Sequence, residues 1–257
     1  MLNYVKSEFY RVLHGKAIYG LTGVLSGLTV LFNFILYAFG TNQAFGYDTI
    51  RFSLNMMTGS LPLLMGIALI VVSYIAADEY KNGTLKNVVA YGISRNTFFT
   101  GKCIVSMVIS ILCMFVVLGF YIGSALLLLE NDGMEPVWEL LKGIGASVPA
   151  ALAALVLSVL LYCLFKKEIT VVMIWGTILF LFPQIAFFLG FKIEFFKKAA
   201  EWMPYNFLRF EAAVNMSGYE CLWNTPEGIM KCIVSGAIGM IVFYTAGILL
   251  FRRKEIN

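Results

Sequence analysis

Six runs of apolar residues, at positions 17–39, 59–77, 103–129, 143–165, 169–191 and 232–251, constrain this chain more than any other feature. None contains Asp, Glu, Lys, Arg or His. A helix rises 1.5 Å per residue, so roughly 20 apolar residues cover a hydrocarbon core about 30 Å thick. The runs are continuously apolar rather than alternating at period two, which argues for helices and against a β-barrel. Charged residues make up 13% of the 257, against about 25% in soluble domains. The expected fold is an all-α polytopic membrane protein with six spans, forming a single transmembrane domain over residues 1–257.

Positive residues near span ends are retained on the cytoplasmic side. With the amino terminus inside, the inner segments hold Lys6, Arg11, Lys16, Lys81, Lys86, Arg95, Lys102, Lys166, Lys167, Arg252, Arg253 and Lys254, whereas the short outer segments hold Arg51 and Lys142. Both termini are therefore expected in the cytoplasm. The net charge of +4 reads as this sidedness plus attraction to anionic lipid, and no basic, aromatic-interleaved tract points to nucleic acid.

Ahead of the first span, Leu2, Val5, Phe9, Val12 and Leu13 recur at helical spacing, with Lys6, Glu8 and Arg11 elsewhere on the wheel, so residues 1–16 are expected to form an interfacial helix. In the first span Gly23 and Gly27 form a GxxxG, a pattern that permits close helix packing or a dimer contact. Pro62 and Pro183 are expected to bend the second and fifth spans without ending them. Residues 192–231 read as an extracellular interfacial segment of short helices, with Phe195, Phe196, Ala199, Trp202 and Met203 on one apolar face. Thr225, Pro226 and Glu227 have the chemistry of a helix start into the sixth span.

Several chemistries are missing. Ion-coupled transporters keep ionisable residues at bilayer depth, and these spans have none. Asn33, Asn55 and Gln184 are expected to make hydrogen bonds between helices. No catalytic residue or metal site is expected: His14 is the single histidine, and the five cysteines show no CxxC spacing, although Cys221 and Cys232 are near enough in sequence to pair. The phosphate-binding pattern GxxxxGK[ST] is also absent, Asn96 and Cys103 standing where Gly and a hydroxyl belong in NTFFTGKC.

Against this background the polar island at 78–102, DEYKNGTLKNVVAYGISRNTFFTGK, is anomalous. Thr84 can cap a two-turn helix reaching Tyr91, ended by Gly92, and Ser94 can cap the helix that enters the third span. Leu85, Val88 and Val89 share one face of the short helix, with Lys86 and Asn87 turned away. Asp78 and Glu79 end the second span where the helix dipole disfavours acids, so a cation such as Lys102 or Arg95 is expected nearby.

Through this island the chain resembles the permease subunits of type-2 ABC exporters. Glu79, Gly83, Thr84, Leu85, Gly92, Ser94 and Arg95 match that family's pattern of an acid ending the second span, a Gly-Thr-Leu segment, a short helix and a Ser-Arg. The resemblance implies that residues 78–102 form a cytoplasmic coupling loop, with Glu79, Thr84, Leu85, Val88, Val89, Tyr91 and Arg95 coupling the permease to an ATPase. It further implies a dimer of permeases, homo- or heteromeric, carrying two copies of a separate P-loop ATPase subunit. ATP and Mg²⁺ would belong to that ATPase, and this chain would hold no cofactor and be no enzyme. The small size is similar to exporters of toxin, lantibiotic and phenol-soluble modulin peptides in the cell membrane of Gram-positive bacteria, so an amphipathic peptide is the expected substrate. Export of lipids, lipid-linked glycans or drugs is the alternative within the same machinery. A non-transporting membrane scaffold or sensor is the alternative outside it.

Overall fold

The fold is a helical bundle, seen in a computed structural model that describes residues 1–40, 47–81, 92–215 and 218–253. Its axis is a helix that is apolar on every side. Helices α1 (Leu2–His14) and α2 (Lys16–Gly40) are followed by α3 (Ile50–Thr58), α4 (Leu63–Lys81), α5 (Arg95–Leu128) and α6 (Glu135–Leu164). In α6 every residue from Ala153 to Cys163 is buried, as expected when a helix lacks a polar face and lies inside a bundle. Around it stand α4, α5, α7 (Glu168–Gly176) and the last helix. After α7 the chain passes through a π-helical turn, Thr177–Leu181, into α8 (Phe182–Gly190). The short helices α9 (Glu194–Glu201) and α10 (Pro204–Phe210) follow, then a two-stranded hairpin, and finally α11 (Pro226–Arg253).

Among the described residues five helices are long and apolar enough to cross a membrane, and six if the bent pair α3 and α4 counts as one span. That pair corrects the expected second span. Pro62 does not bend a continuing helix; it lies in a break between α3 and α4, whose axes differ by 72°. Proline has no N–H to donate, and the chain turns here through Gly59 N to Asn55 O (2.9 Å), Ser60 N to Met57 O (2.9 Å) and Leu63 N to Ser60 O (2.9 Å). Pro183 behaves as expected, because the π turn precedes it and the fifth apolar stretch continues from Glu168 to Gly190.

Residues 192–231 hold the expected short helices and also an antiparallel hairpin, β1 (Ala212–Asn215) with β2 (Gly218–Cys221), which the apolar pattern did not suggest. Tyr219 donates to Asn55 Oδ1 (2.7 Å), and Arg51 lies over its ring, so the hairpin is fastened to α3. Burial pushes the Tyr219 phenol up to about 12. On α9 the aromatic side chains of Phe195 and Trp202 are exposed, an apolar face that this chain does not cover. Thr225 Oγ1 accepts from Gly228 N (3.1 Å), as expected of the cap of α11. Cys221 and Cys232 are not joined by a disulfide.

Asn33 is fully buried and joins three helices. It donates to Tyr121 O (3.0 Å) and Ser124 Oγ (2.7 Å) on α5, and accepts from Ser53 Oγ (2.6 Å) on α3. Gln184 donates to Tyr205 Oη (3.3 Å), joining α8 to α10. The closest helix approach uses glycines on α11. A Cβ at Gly236 would overlap the Pro149 ring of α6, and one at Gly239 would lie 3.1 Å from Ala153 Cβ. Gly23 and Gly27 are different: a Cβ at either meets nothing within 4 Å. The Gly236→Leu change is therefore expected to destabilise the bundle by about 1–3 kcal/mol through overpacking, while Gly23→Ala leaves it unchanged. Thermal unfolding of the detergent-solubilised variants checks this, and equal melting temperatures would refute the assignment of close packing to α11.

Candidate coupling site at the amino-terminal end of the bundle

The polar island enters the described structure at both edges. Glu79 falls in the last turns of α4, but its side chain, together with Thr84, Leu85, Val88, Val89 and Tyr91, lies outside the described residues. Gly92 has φ +80°, the left-handed conformation that suits the residue after a helix. Ser94 caps α5 as expected, its hydroxyl accepting from Thr97 N (3.2 Å).

Arg95 then does something the sequence pattern did not specify. Its Nη1 donates to the carbonyls of Phe251 (3.3 Å) and Arg252 (2.8 Å), in the last turn of α11. Terminal carbonyls of a helix lack intrahelical donors and carry the negative end of its dipole, so a guanidinium there satisfies both demands. Arg252 returns the contact, Nε donating to Asn96 Oδ1 (3.1 Å). Beneath this clamp Phe98 and Phe99 are buried, Phe98 against Tyr4 and Phe251, and Phe99 over Gly247, where a Cβ would overlap its ring. Thr100 Oγ1 and Tyr244 Oη share a hydrogen bond of 2.8 Å. The first two turns of α5 are thus joined to α11 by polar contacts above and aromatic packing below.

One turn further in, Lys102 is 3% exposed, and its Nζ lies 2.6 Å from Glu8 Oε2 on α1. Arg11 reaches the same carboxylate oxygen at 2.9 Å and donates to Ile75 O on α4 (3.0 Å). Lys102 was expected to compensate Asp78 or Glu79; its described partner is Glu8. The expected face of α1 holds in part, with Val12 buried and Val5 and Phe9 packed beside it, but the inward side also takes in Tyr4 and Glu8. Tyr4, Glu8 and Val12, four residues apart, point inward, while Leu2 and Leu13 are exposed. A carboxylate can occupy that inner stripe because two cations neutralise it. Burial opposes ionisation of Glu8, but Lys102 and Arg11 together outweigh burial and hold its carboxyl below the ordinary value of 4.5. The i, i+4 recurrence Tyr4-Glu8-Val12 was the available signal, and it was obscured because an acid on an interfacial helix ordinarily faces water.

Fit at Gly101 is equally tight, since a Cβ there would sit 2.7 Å from the Tyr4 ring. The site therefore links α1, α4, α5 and α11 around the entrance to the polar island. Among the described residues no group of His, Cys, Asp and Glu is arranged to hold a metal ion. The arrangement joins the start of α5 to α1 and to the end of α11 by an ion pair, hydrogen bonds and packed rings.

Lys102→Met leaves the buried Glu8 carboxylate with Arg11 as its cation, so it is expected to cost less than the about 3–5 kcal/mol of a fully stranded charge, and the double change Glu8→Leu with Lys102→Met less than the single one. A double-mutant cycle on unfolding of the solubilised protein measures this. Because the folded pKa of Glu8 is lowered, its contribution is present above about pH 4.5 and is lost as pH falls through the lowered value. Melting temperature should accordingly drop more steeply below pH 4.5 in the parent than in Glu8→Gln; parallel slopes would show that the pair is not ionised.

The family of ABC-2 family transporter proteins matches the chain over residues 4–198, from α1 through most of α9 and including the whole polar island. The hairpin and α11 lie beyond the matched stretch. No curated protein matches the chain. With well over half of its residues matched, an all-helical bundle and five or six membrane-crossing helices, the chain belongs to the ABC-2 transporter family, whose members are membrane components of transporters.

Proposed function

We propose that this chain is the permease subunit of an ATP-driven exporter for amphipathic or hydrophobic peptides, working as a dimer with two copies of a separate P-loop ATPase. Family membership supports a transport permease whose energy comes from a partner ATPase. The observation that carries the coupling reading is the clamp at the start of α5. Arg95, Phe98 and Lys102 bind the helix that leaves the polar island to α11, α1 and, through Arg11, α4, so force applied to residues 84–91 has a stiff route into the bundle.

In this reading the amino-terminal end of the bundle faces the cytoplasm. Exposed Lys6, Lys16, Lys166, Lys167, Arg252 and Arg253 gather there, whereas Asp132, Glu135 and Glu211 are set among Arg51, Lys142 and Lys231 at the opposite end. That distribution fits retention of positive charge on the inner side. Leu85, Val88 and Val89 would seat in a cleft of the ATPase, with Thr84 and Tyr91 at the ends of the seated helix and Glu79 at the end of α4. ATP and Mg²⁺ would be held by that partner. An uncharged set of spans suits a substrate that carries its own apolar face.

Val88→Asp and Val89→Asp are expected to abolish co-purification with the ATPase and to remove peptide-stimulated ATP hydrolysis of the reconstituted complex, while the permease still folds. Survival of binding and stimulation in both variants would sink the coupling assignment. Stimulation of the parent complex by a lipid and by no amphipathic peptide would move the substrate from peptide to lipid.

A further inference from the structure

Alongside the bundle, α2 and α5 enclose an almost wholly apolar lateral groove of about 670 Å³, floored by Gly23 and Gly27 and walled by Leu112, Val116 and Phe120. We propose that it binds one acyl chain of an anionic glycerophospholipid, whose phosphate rests at the start of α2 beside Lys16. Three observations choose this occupant.

Length is the first. The α2 side of the groove runs from Ile18 to Val30, about 18 Å at 1.5 Å per residue, close to half of a hydrocarbon core about 30 Å thick. An acyl chain needs its own leaflet only. A membrane-crossing helix of a second copy would need both.

The ends of the groove are the second observation. At one end Leu13 of α1 belongs to the lining, and Tyr19 Oη donates to Leu13 O (2.8 Å). At the other, just past Val30 and Phe120, Asn33 draws α2 onto α5 through Tyr121 O and Ser124 Oγ. The cleft is therefore bounded above and below, and open sideways to lipid. Its open floor is intrinsic to the fold, because nothing of this chain lies within 4 Å of a Cβ placed at Gly23 or Gly27.

Charge is the third. Lys16 is exposed at the first position of α2, with exposed His14 beside it, and the positive end of the α2 dipole points the same way. A phosphodiester anion answers that charge, and a Lys near a lipid surface is worth about a fivefold preference for an anionic headgroup. The groove itself carries no charged residue, so the selectivity resides at its mouth and the affinity in its length.

The test uses the full chain, purified in a non-ionic detergent and examined by native mass spectrometry. It is titrated with phosphatidylglycerol or phosphatidylcholine bearing the same palmitoyl and oleoyl chains. The parent should retain phosphatidylglycerol about fivefold more tightly than phosphatidylcholine. Gly27→Leu and, separately, Gly23→Leu should weaken both lipids by tenfold or more at an unchanged melting temperature, since each side chain enters open space. Lys16→Gln should keep phosphatidylcholine binding and bring the two lipids level. Equal retention of the two lipids by the parent would overturn the headgroup assignment. Undiminished binding in both glycine variants would overturn the groove as the site. Loss of a permease dimer in those variants, with lipid binding intact, would give the face to a second copy. None of these readouts involves ATP or peptide, so the outcome stands apart from the transport assignment.

Discussion

A carboxylate in contact with two cations inside an apolar bundle sets the geometry at the amino-terminal end of this protein. Ions leave water at a cost of several kcal/mol each, and the cost is offset only when partners are close and well placed. Glu8 and Lys102 meet at 2.6 Å, and Arg11 joins them while donating to Ile75 O. Glu8 and Lys102 are buried together, and the partly exposed Arg11 closes the group from the solvent side. The consequence is positional: α1 cannot slide along α5 without separating charges, and α4 is tied in through a main-chain carbonyl rather than through a side chain that could rotate away. An interfacial helix that might have floated at the membrane surface becomes part of the bundle wall.

From that point the bundle is assembled by complementary shape. Tyr4 presses against Gly101 and Phe98, Phe98 against Phe251, and Phe99 against Gly247, so glycines sit where aromatic rings need room. Farther along, Gly236 and Gly239 let α11 lie against Pro149 and Ala153 of α6. Among apolar helices in lipid there is little hydrophobic drive toward association, so close packing and hydrogen bonds such as those of Asn33 must supply it. The two ends of the molecule differ in kind. At one, Glu8 and Lys102 are buried and bind α1 to α5; at the other, Arg51 pairs with Asp132 and Glu135, joining the start of α3 to the start of α6, and Glu139 pairs with Lys142 within α6, each pair with at least one more exposed member. Exposed pairs of that sort contribute little stability each.

Much of this was legible because the bilayer imposes simple rules. Continuous apolar runs marked the five helices that, among the described residues, are each long and apolar enough to cross a membrane, though the run at 59–77 missed α3 of the bent pair, and Ser94, Thr225 and Pro226 marked helix starts. Asn33, Asn55 and Gln184 do bridge elements, as lone amides in apolar surroundings must. What was hidden depended on partners distant in sequence. Glu8 reads as a solvated acid until Lys102, 94 residues away, is placed beside it. Arg95 reads as a coupling-loop cation until the last carbonyls of α11 arrive. The hairpin at 212–221 carries no strong alternation, and it is held by Tyr219 meeting Asn55 and by Arg51 over the ring, contacts that local patterning cannot encode. Gly23 and Gly27 matched a packing pattern, yet the close packing in this chain is on α11, where Gly236 and Gly239 face a proline and an alanine.

The placement of these contacts bears on how such a bundle could respond to a push. Force entering through the short segment before α5 meets first the cap at Ser94, then the bonds from Arg95 to α11, then the ion pair to α1. These contacts fall within the first two turns of α5, so that helix would move with α1 and the end of α11 as a unit and not bend at its start. Compliance must then lie elsewhere. The structure offers two such places, the 72° break between α3 and α4 and the π turn at Thr177–Leu181, both sites where regular helical hydrogen bonding is interrupted. Both lie on helices packed against α6, the buried axis. Regular helical hydrogen bonding thus holds through the start of α5, where the cross-helix contacts gather, and is interrupted at the break between α3 and α4 and at the π turn, where the chain has given up the bonds that keep a helix straight.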